Sequence, residues 1–180
     1  MKLVILDRDG VINRDSDDYI KSVDEFQLLD GSVEAIAKLN RHGFTVAIAT
    51  NQSGLARELF KQEDLEAMHA KLASAVADAG GKIDAIFYCP HGPDDGCNCR
   101  KPLPGLIEAI ENHFAISAKG WPMVGDSLRD LEAGLARGCD PILVRTGKGL
   151  RTLPKLEQLN AEVQVFDDLQ AASGYIIDHY

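Results

Sequence analysis

Two carboxylates stand two residues apart near the start of the chain, in the run Asp7-Arg8-Asp9-Gly10 that follows an apolar segment. In extended backbone, side chains at positions i and i+2 point the same way, so Asp7 and Asp9 are expected to share one small volume while Arg8 points away. Two close carboxylates either raise one pKa or attract a cation, and a hard ion such as Mg²⁺ suits carboxylate oxygens. An acidic, solvated turn is the alternative interpretation.

A second acidic motif, Gly125-Asp126-Ser127-Leu128-Arg129-Asp130, follows a later apolar segment. It places Asp126 at a predicted strand end and Asp130 one turn into a predicted helix. We expect the Mg²⁺ site at Asp7, Asp9 and Asp126, with Asp7 and Asp126 as direct ligands and Asp130 behind them. On this segment alone, helix capping by the two acids is an equally good explanation.

Three of the four cysteines and one histidine fall within a single short segment. They are Cys89, His91, Cys97 and Cys99. Three thiolates and an imidazole form a closed tetrahedral set that suits a structural Zn²⁺ ion. Free thiols or a Cys97–Cys99 disulfide are the alternatives, and Cys139 is expected to be a packed thiol. Because Arg100 and Lys101 follow directly, the metal would fix two cations at the mouth of the site.

Apolar strand patterns alternate with helical patterns along the chain, which predicts a parallel sheet covered by helices. The strands are predicted at 3–6, 44–49, 83–88, 122–124, 141–145 and 163–166, and the helices at 31–41, 62–79, 104–114, 128–137 and the carboxyl terminus. This order is typical of an α/β, doubly wound, Rossmann-like fold with helices on both faces. The polar clusters at Asp7, Thr50 and Asp126 each follow a strand, so they are expected to meet in a crevice at one sheet edge.

Composition limits what such a chain can bind. With 19 basic and 28 acidic residues, the 180-residue chain has a net charge of −9, which disfavours nucleic acids and anionic membranes as partners. One domain over residues 1–180 is expected, with the zinc loop 89–99 inserted. No apolar stretch has the roughly 20 residues needed to span a bilayer. The first strand begins at the N-terminus, so we expect a cytoplasmic protein, and its small size favours a monomer.

Four motifs together resemble those of the haloacid dehalogenase (HAD) superfamily of phosphotransferases. They are Asp-x-Asp-Gly-Val at the first strand, Thr50 at the second, Lys101 before Pro102, and Gly-Asp-x-x-x-Asp at Asp126. The resemblance implies that Asp7 attacks phosphorus to form an aspartyl-phosphate. It also implies that Asp9 protonates the departing alkoxide and later deprotonates water. Mg²⁺, Thr50 and Lys101 would stabilise the charge on the phosphoryl group.

Within this superfamily, a zinc loop in place of a large cap domain resembles the branch of the heptose bisphosphate phosphatases and the histidinol-phosphate phosphatases. The runs 50–57 and 144–148 are similar to the heptose enzymes. The resemblance implies removal of the 7-phosphate from a heptose bisphosphate on the route to lipopolysaccharide. It also implies that Arg100 contacts the second phosphate. The other residues that it assigns to substrate binding are Asp15, Asp18, Tyr19, Asn51, Gln52, Ser53, Arg57, Lys101 and Ser127.

One of these residues departs from the pattern, because some members of the branch carry a lysine where Ser127 stands. Three other functions remain open at this point. Histidinol phosphate is the alternative substrate, and a DNA 3′-phosphatase shares the paired aspartates but is disfavoured by the acidic composition. The last alternative is a zinc-stabilised binding module without catalysis, which is disfavoured because all four motifs keep chemically competent residues.

Overall fold

A computed structural model describes residues 1–180 and confirms the doubly wound α/β fold. Six parallel strands form one sheet in the order β3-β2-β1-β4-β5-β6. The strands are β1 (Lys2–Leu6), β2 (Phe44–Asn51), β3 (Ala85–Cys89), β4 (Pro122–Gly125), β5 (Asp140–Val144) and β6 (Gln164–Phe166). The winding direction reverses between β1 and β4, and in such sheets a crevice opens beyond the carboxyl ends at the reversal.

The chain also forms six α-helices and one 3₁₀ helix, and all of them except the last α-helix connect two strands. The helices are α1 (Ser32–Arg41), α2 (Gln62–Asp78), α3 (Gly105–Phe114), α4 (Leu128–Leu135), α5 (Gly149–Thr152) and α6 (Leu169–His179), and the 3₁₀ helix (Leu153–Gln158) follows α5. The sequence did not predict α5 or the 3₁₀ helix, because such short helices do not show the repeated spacing of apolar residues that identifies a helix. None of the helices is both long and apolar enough to cross a membrane.

The central strand β1 is buried on both faces, which explains its uninterrupted apolar sequence. Val4 and Leu6 join a cluster that includes buried residues of α1, α2 and α6. Leu3 and Ile5 face the other side, in a cluster that includes three residues of α3. Each of these four side chains is fully buried, which stabilises the fold by about 1.5–3 kcal/mol per residue. This packing holds the carboxyl end of β1 rigidly in the sheet.

Candidate active site

A cavity of about 260 Å³ opens where β1 and β4 end, at the reversal of the winding direction. Asp7, immediately after β1, donates its backbone N–H to the carbonyl oxygen of Val124 in β4 at 2.9 Å. The residues that line the cavity include six carboxylates and four cationic side chains. With all of these side chains ionised, the cavity would carry an excess of two negative charges, which one divalent cation would balance.

The Asp7 carboxylate has one occupied oxygen and one free oxygen. Its Oδ1 accepts hydrogen bonds from the backbone N–H of Arg8 at 2.8 Å and from Lys101 Nζ at 2.9 Å. Its Oδ2 has no hydrogen-bond partner within the chain. Burial, followed by repulsion from Asp130, raises the pKa of Asp7 to about 7, although the Lys101 charge opposes this rise. A buried carboxylate with a free oxygen is suited to attack phosphorus or to bind a metal.

Carboxylate oxygens of Asp7, Asp126 and Asp130 lie within 4.8 Å of one another. Asp126 Oδ2 accepts the backbone N–H of Lys148 at 2.9 Å, and Oδ1 has no partner within the chain. Both oxygens of Asp130 are in use, because Oδ1 accepts from Lys101 Nζ at 2.6 Å and Oδ2 from Ser127 Oγ at 2.9 Å. This distribution fits a Mg²⁺ ion with Asp7 and Asp126 as direct ligands and Asp130 behind them.

The helix-capping alternative for the second motif is also realised. Asp130 Oδ2 accepts both the backbone N–H of Ser127 at 3.1 Å and the Ser127 hydroxyl at 2.9 Å, and the two residues form a capping box at the start of α4. Asp130 therefore both caps the N-terminus of α4 and binds Lys101. Gly10, at φ 85°, allows the chain to turn beside Asp126, where a Cβ would overlap the carboxylate.

The pKa values of the clustered acids show that the site lacks positive charge. Burial, together with repulsion from Asp130 and Asp7, raises the pKa of Asp126 to about 9. Burial also opposes ionisation of Asp130, but the adjacent Lys101 ammonium outweighs it and lowers the pKa. Without a bound cation, Asp126 therefore holds a proton near neutral pH, Asp7 is only partly ionised, and Asp130 is ionised.

Mg²⁺ is expected to bind more tightly as the pH rises from about 6 to about 9, because Asp7 and Asp126 must release protons before their oxygens can ligate the ion. Both pKa values lie above the ordinary 3.8, so the folded state binds more protons than the unfolded state. The stability of the metal-free protein should thus fall as the pH rises from about 4 to about 9. Calorimetric Mg²⁺ titrations at several pH values measure the affinity and the proton release. An affinity that does not change with pH would contradict this prediction.

The Asp9 carboxylate accepts hydrogen bonds at both oxygens. Oδ1 accepts from Arg8 Nη2 and Asn13 Nδ2, each at 2.8 Å, and Oδ2 accepts from Gln52 Nε2 at 3.0 Å. The expected direction of Arg8 is wrong: β1 ends at Leu6, so strand alternation does not apply, and the guanidinium turns toward Asp9. The Asp9 carboxylate is not in the cluster of three acids. Its assignment to Mg²⁺ stays a prediction.

Lys101 is the cation at the centre of the acidic cluster. It is 2% exposed, and its Nζ donates to Asp7, to Asp130 and to the carbonyl of Ala49 at 2.7 Å. Burial opposes its charge, but the two carboxylates outweigh burial and raise its pKa. Asn51 fixes the Lys101 backbone, because its side chain donates to the Lys101 carbonyl at 3.1 Å and accepts the Lys101 N–H at 3.0 Å.

Thr50 lies at the carboxyl end of β2, as expected, but is 1% exposed and does not line the cavity. Its Oγ1 accepts a hydrogen bond from Gln52 Nε2 at 2.9 Å. Since the same Nε2 also donates to Asp9, Thr50 holds Gln52 against the Asp9 carboxylate. Direct contact between Thr50 and a phosphoryl oxygen stays a prediction.

The structure brings most of the predicted substrate residues to the cavity wall. Asp15, Tyr19, Asn51, Gln52, Ser53, Arg100, Lys101 and Ser127 all line it. Asp18 and Arg57 do not; Asp17 lines the cavity in place of Asp18, and the Arg57 guanidinium lies 5.6 Å from the Tyr19 ring centroid. The sequence also missed Arg129 and Lys148. Lys148 could have been predicted from the sequence, because it closely follows the carboxyl end of β5, at the sheet edge where the site was expected.

The predicted zinc loop brings three sulfur atoms together. The Sγ atoms of Cys89, Cys97 and Cys99 lie within 4.8 Å of one another, and none is in a disulfide. Burial, followed by a hydrogen bond with Cys99, raises the pKa of Cys89 to about 12. The three thiols fit a thiolate-bound metal such as Zn²⁺. The exposed His91 is outside this group, so its role as the fourth ligand stays a prediction.

Comparisons with known proteins show which family this chain belongs to. A family model described as polynucleotide kinase 3 phosphatase matches residues 2–128, and one described as HAD-hydrolase-like matches residues 98–172. The D-glycero-beta-D-manno-heptose-1,7-bisphosphate 7-phosphatase of Pseudomonas putida is 55% identical over 98% of this chain and 100% of its own length. This chain belongs to that phosphatase family, within the HAD superfamily. The Escherichia coli member is 37% identical over 81% of this chain and 80% of its own.

A solved structure of the family matches the whole fold. The D,D-heptose 1,7-bisphosphate phosphatase from B. bronchiseptica, in complex with magnesium and phosphate, has a TM-score of 0.94 and 51% identity, with full coverage of both chains. The polynucleotide 3-phosphatase model stops at residue 128, before Asp130, whereas the heptose enzymes match nearly the whole chain. The predicted superfamily and branch are confirmed, and membership in a family of phosphoric monoester hydrolases opposes a non-catalytic role.

Proposed function

We propose that this chain is a Mg²⁺-dependent phosphatase that hydrolyses the 7-phosphate of D-glycero-D-manno-heptose 1,7-bisphosphate. The observation that carries the proposal is the buried Asp7 carboxylate. One of its oxygens is held by Lys101, and the other is free at the cavity. The relatives named for this reaction match over the whole chain, which favours the heptose substrate over histidinol phosphate and over a DNA 3′-end.

In the first half of the reaction, a carboxylate oxygen of Asp7 attacks phosphorus, and the bond between phosphorus and the sugar oxygen breaks. The departing oxygen takes a proton from Asp9, and the phosphoryl group remains on Asp7 as an aspartyl-phosphate. Burial disfavours the charge on Asp9, but Arg8, Asn13 and Gln52 lower its pKa overall. The negative charge of the entering phosphate raises that pKa again, which supplies the acid form.

In the second half, Asp9 accepts a proton from water as the water oxygen attacks the aspartyl-phosphate. The bond between phosphorus and the Asp7 oxygen breaks, so phosphate leaves and the Asp7 carboxylate is restored. Asp7 and Asp126 would hold Mg²⁺, which supplies positive charge to the phosphoryl oxygens when bound. Lys101 supplies a second, permanent charge, and its contacts with Asp7 and Asp130 hold it in place.

The cavity wall also suits a substrate with a second phosphate. Arg100, Arg129 and Lys148 present cationic groups to the cavity, and they provide partners for the phosphate that is not cleaved. Asp15, Asp17 and Tyr19 present acceptors and a hydroxyl to the sugar. Arg100 is the predicted contact, and it follows Cys99, so its position depends on the zinc loop.

The substrate is tested by steady-state kinetics on heptose 1,7-bisphosphate, heptose 7-phosphate and histidinol phosphate. We expect the bisphosphate to have the highest kcat/KM. The variant Arg100→Met should raise KM for the bisphosphate while changing that for heptose 7-phosphate little, since a monophosphate lacks the second anion. Histidinol phosphate turning over with the higher kcat/KM would overturn the proposed substrate.

We propose a structural zinc ion for the loop, held by Cys89, Cys97 and Cys99, with His91 closing the site. The variant Cys97→Ser is expected to lose bound zinc and at least about tenfold in kcat/KM, because the loop that precedes Arg100 and Lys101 then loses its metal support. Elemental analysis of the purified protein measures the metal, and Cys139→Ser is the matched control because Cys139 lies outside the cluster. Full zinc content in the Cys97 variant would contradict the assigned ligand.

The remaining assignments follow from charge and size. We propose that residues 1–180 act as one domain and that the protein is a monomer in the cytoplasm, in the synthesis of nucleotide-activated heptose for lipopolysaccharide. The net charge of −9 supports the expectation that neither nucleic acid nor an anionic membrane is a partner.

A further inference from the structure

Arg8 is an arginine with no exposed side-chain surface beside the reacting residues, and the mechanism above assigns it only an effect on the pKa of Asp9. Its Nε and Nη2 donate to Asp9 Oδ1 at 3.1 and 2.8 Å. Its Cζ lies 5.2 Å from the centroid of the fully buried Phe26 ring. A buried guanidinium that is bonded along one edge and packed against an aromatic ring cannot swing away, so this contact fixes the orientation of the Asp9 carboxylate.

His69 of α2 holds the remaining edge of the guanidinium. Its Nε2 lies 3.1 Å from Arg8 Nη1. Arginine can only donate, so Nε2 accepts and the ring proton is on Nδ1. Burial, followed by the Arg8 charge, lowers the pKa of His69 to about 4, which keeps the ring neutral as this acceptor role requires. The contact connects the catalytic loop to a helix of the core, since neighbouring Met68 is fully buried.

The two oxygens of Asp9 differ in how many hydrogen bonds they accept. Oδ1 accepts three bonds, two from Arg8 and one from Asn13, and has no capacity left for a proton. Oδ2 accepts one bond, from Gln52 at 3.0 Å. The Asp9 side chain is 23% exposed, and the residue lines the cavity. The oxygen that exchanges a proton with the substrate is therefore Oδ2.

We propose that Arg8 and His69 are a buried positioning pair that holds Asp9 Oδ1, so that Oδ2 is presented to the departing oxygen of the substrate. The proposal rests on the role of Asp9 in the proposed function. It makes Arg8 and His69 positioning residues, since neither lines the cavity. Their loss should affect proton transfer more than substrate binding or attack by Asp7.

The test compares two leaving groups, because an alkoxide needs a proton and p-nitrophenolate does not. Rapid mixing measures the first-turnover release of the leaving group from heptose 1,7-bisphosphate and from p-nitrophenyl phosphate, which isolates the step that forms the aspartyl-phosphate. We expect Arg8→Met to lower the sugar rate by on the order of 10²-fold and the p-nitrophenyl rate by only a few-fold. His69→Leu should also lower the ratio of the sugar rate to the p-nitrophenyl rate. His69→Gln keeps a hydrogen-bond acceptor and should restore this ratio.

The variant Asp9→Asn separates failure of this proposal from failure of the proposed function. If Asp9→Asn leaves the ratio unchanged, the acid role of Asp9 is wrong. If Asp9→Asn lowers the ratio but Arg8→Met and His69→Leu slow both substrates equally, the positioning role is overturned. His69→Leu and His69→Gln decide the question if Arg8→Met does not fold. A lowered ratio in His69→Leu with recovery in His69→Gln supports the proposal.

Discussion

Asp7→Asn is expected to lower kcat by at least about 10⁴-fold while the protein stays folded. An amide cannot form the aspartyl-phosphate, so the first half of the reaction has no nucleophile. The change also removes one of three carboxylates whose oxygens lie within 4.8 Å of one another, which relieves repulsion. The melting temperature without Mg²⁺ should therefore be equal to or higher than that of the parent protein. Phosphate release and thermal unfolding measure the two effects.

Asp30→Asn provides the matched control for the loss of one negative charge, because Asp30 is exposed and outside the cavity. It should leave activity and Mg²⁺ binding unchanged. Retained activity in Asp7→Asn would refute covalent catalysis by this residue. A folded, inactive variant that no longer incorporates labelled phosphate in acid-quenched reactions would support it.

Lys101→Met is expected to reduce the free energy of unfolding by about 3–5 kcal/mol and to abolish activity. Lys101 Nζ contacts Asp7 and Asp130 at 2.9 and 2.6 Å, and its side chain is 2% exposed. Methionine fills a similar volume but leaves Asp7 and Asp130 without their cation. Denaturant unfolding measures the loss of stability, and added Mg²⁺ should stabilise this variant more than it stabilises the parent protein.

Lys82→Met is the matched control, because Lys82 Nζ also forms an ion pair with an aspartate, Asp84, at 2.8 Å. The pairs have similar geometry, but the Lys82 side chain is 74% exposed, so water replaces the lost partner. We expect little change in stability or activity. Equal destabilisation by the two variants would show that burial does not determine the strength of the Lys101 contacts.

The elements of the fold were largely predictable because each carries a local signal. Strands β1 and β2 are apolar runs that end at polar residues, and their buried environment matches this pattern. Helix α4 was predicted two residues too long, since it ends at Leu135. The short α5 was missed because one helical turn shows no period. The positions of Asp7, Thr50 and Asp126 at strand ends followed directly from these elements.

The sequence by itself determined the chemical components of the site: paired carboxylates, a lysine before a proline, and a cysteine cluster, each recognisable by residue type and spacing. Only the tertiary structure decided which oxygen of Asp7 and which oxygen of Asp126 is free. It also showed that Asn51 anchors the Lys101 backbone, and that Arg8 turns back to Asp9 rather than away from it. The physical reason is that hydrogen bonds between distant segments and burial in a shared cavity depend on packing in three dimensions. Local sequence patterns do not predict that packing.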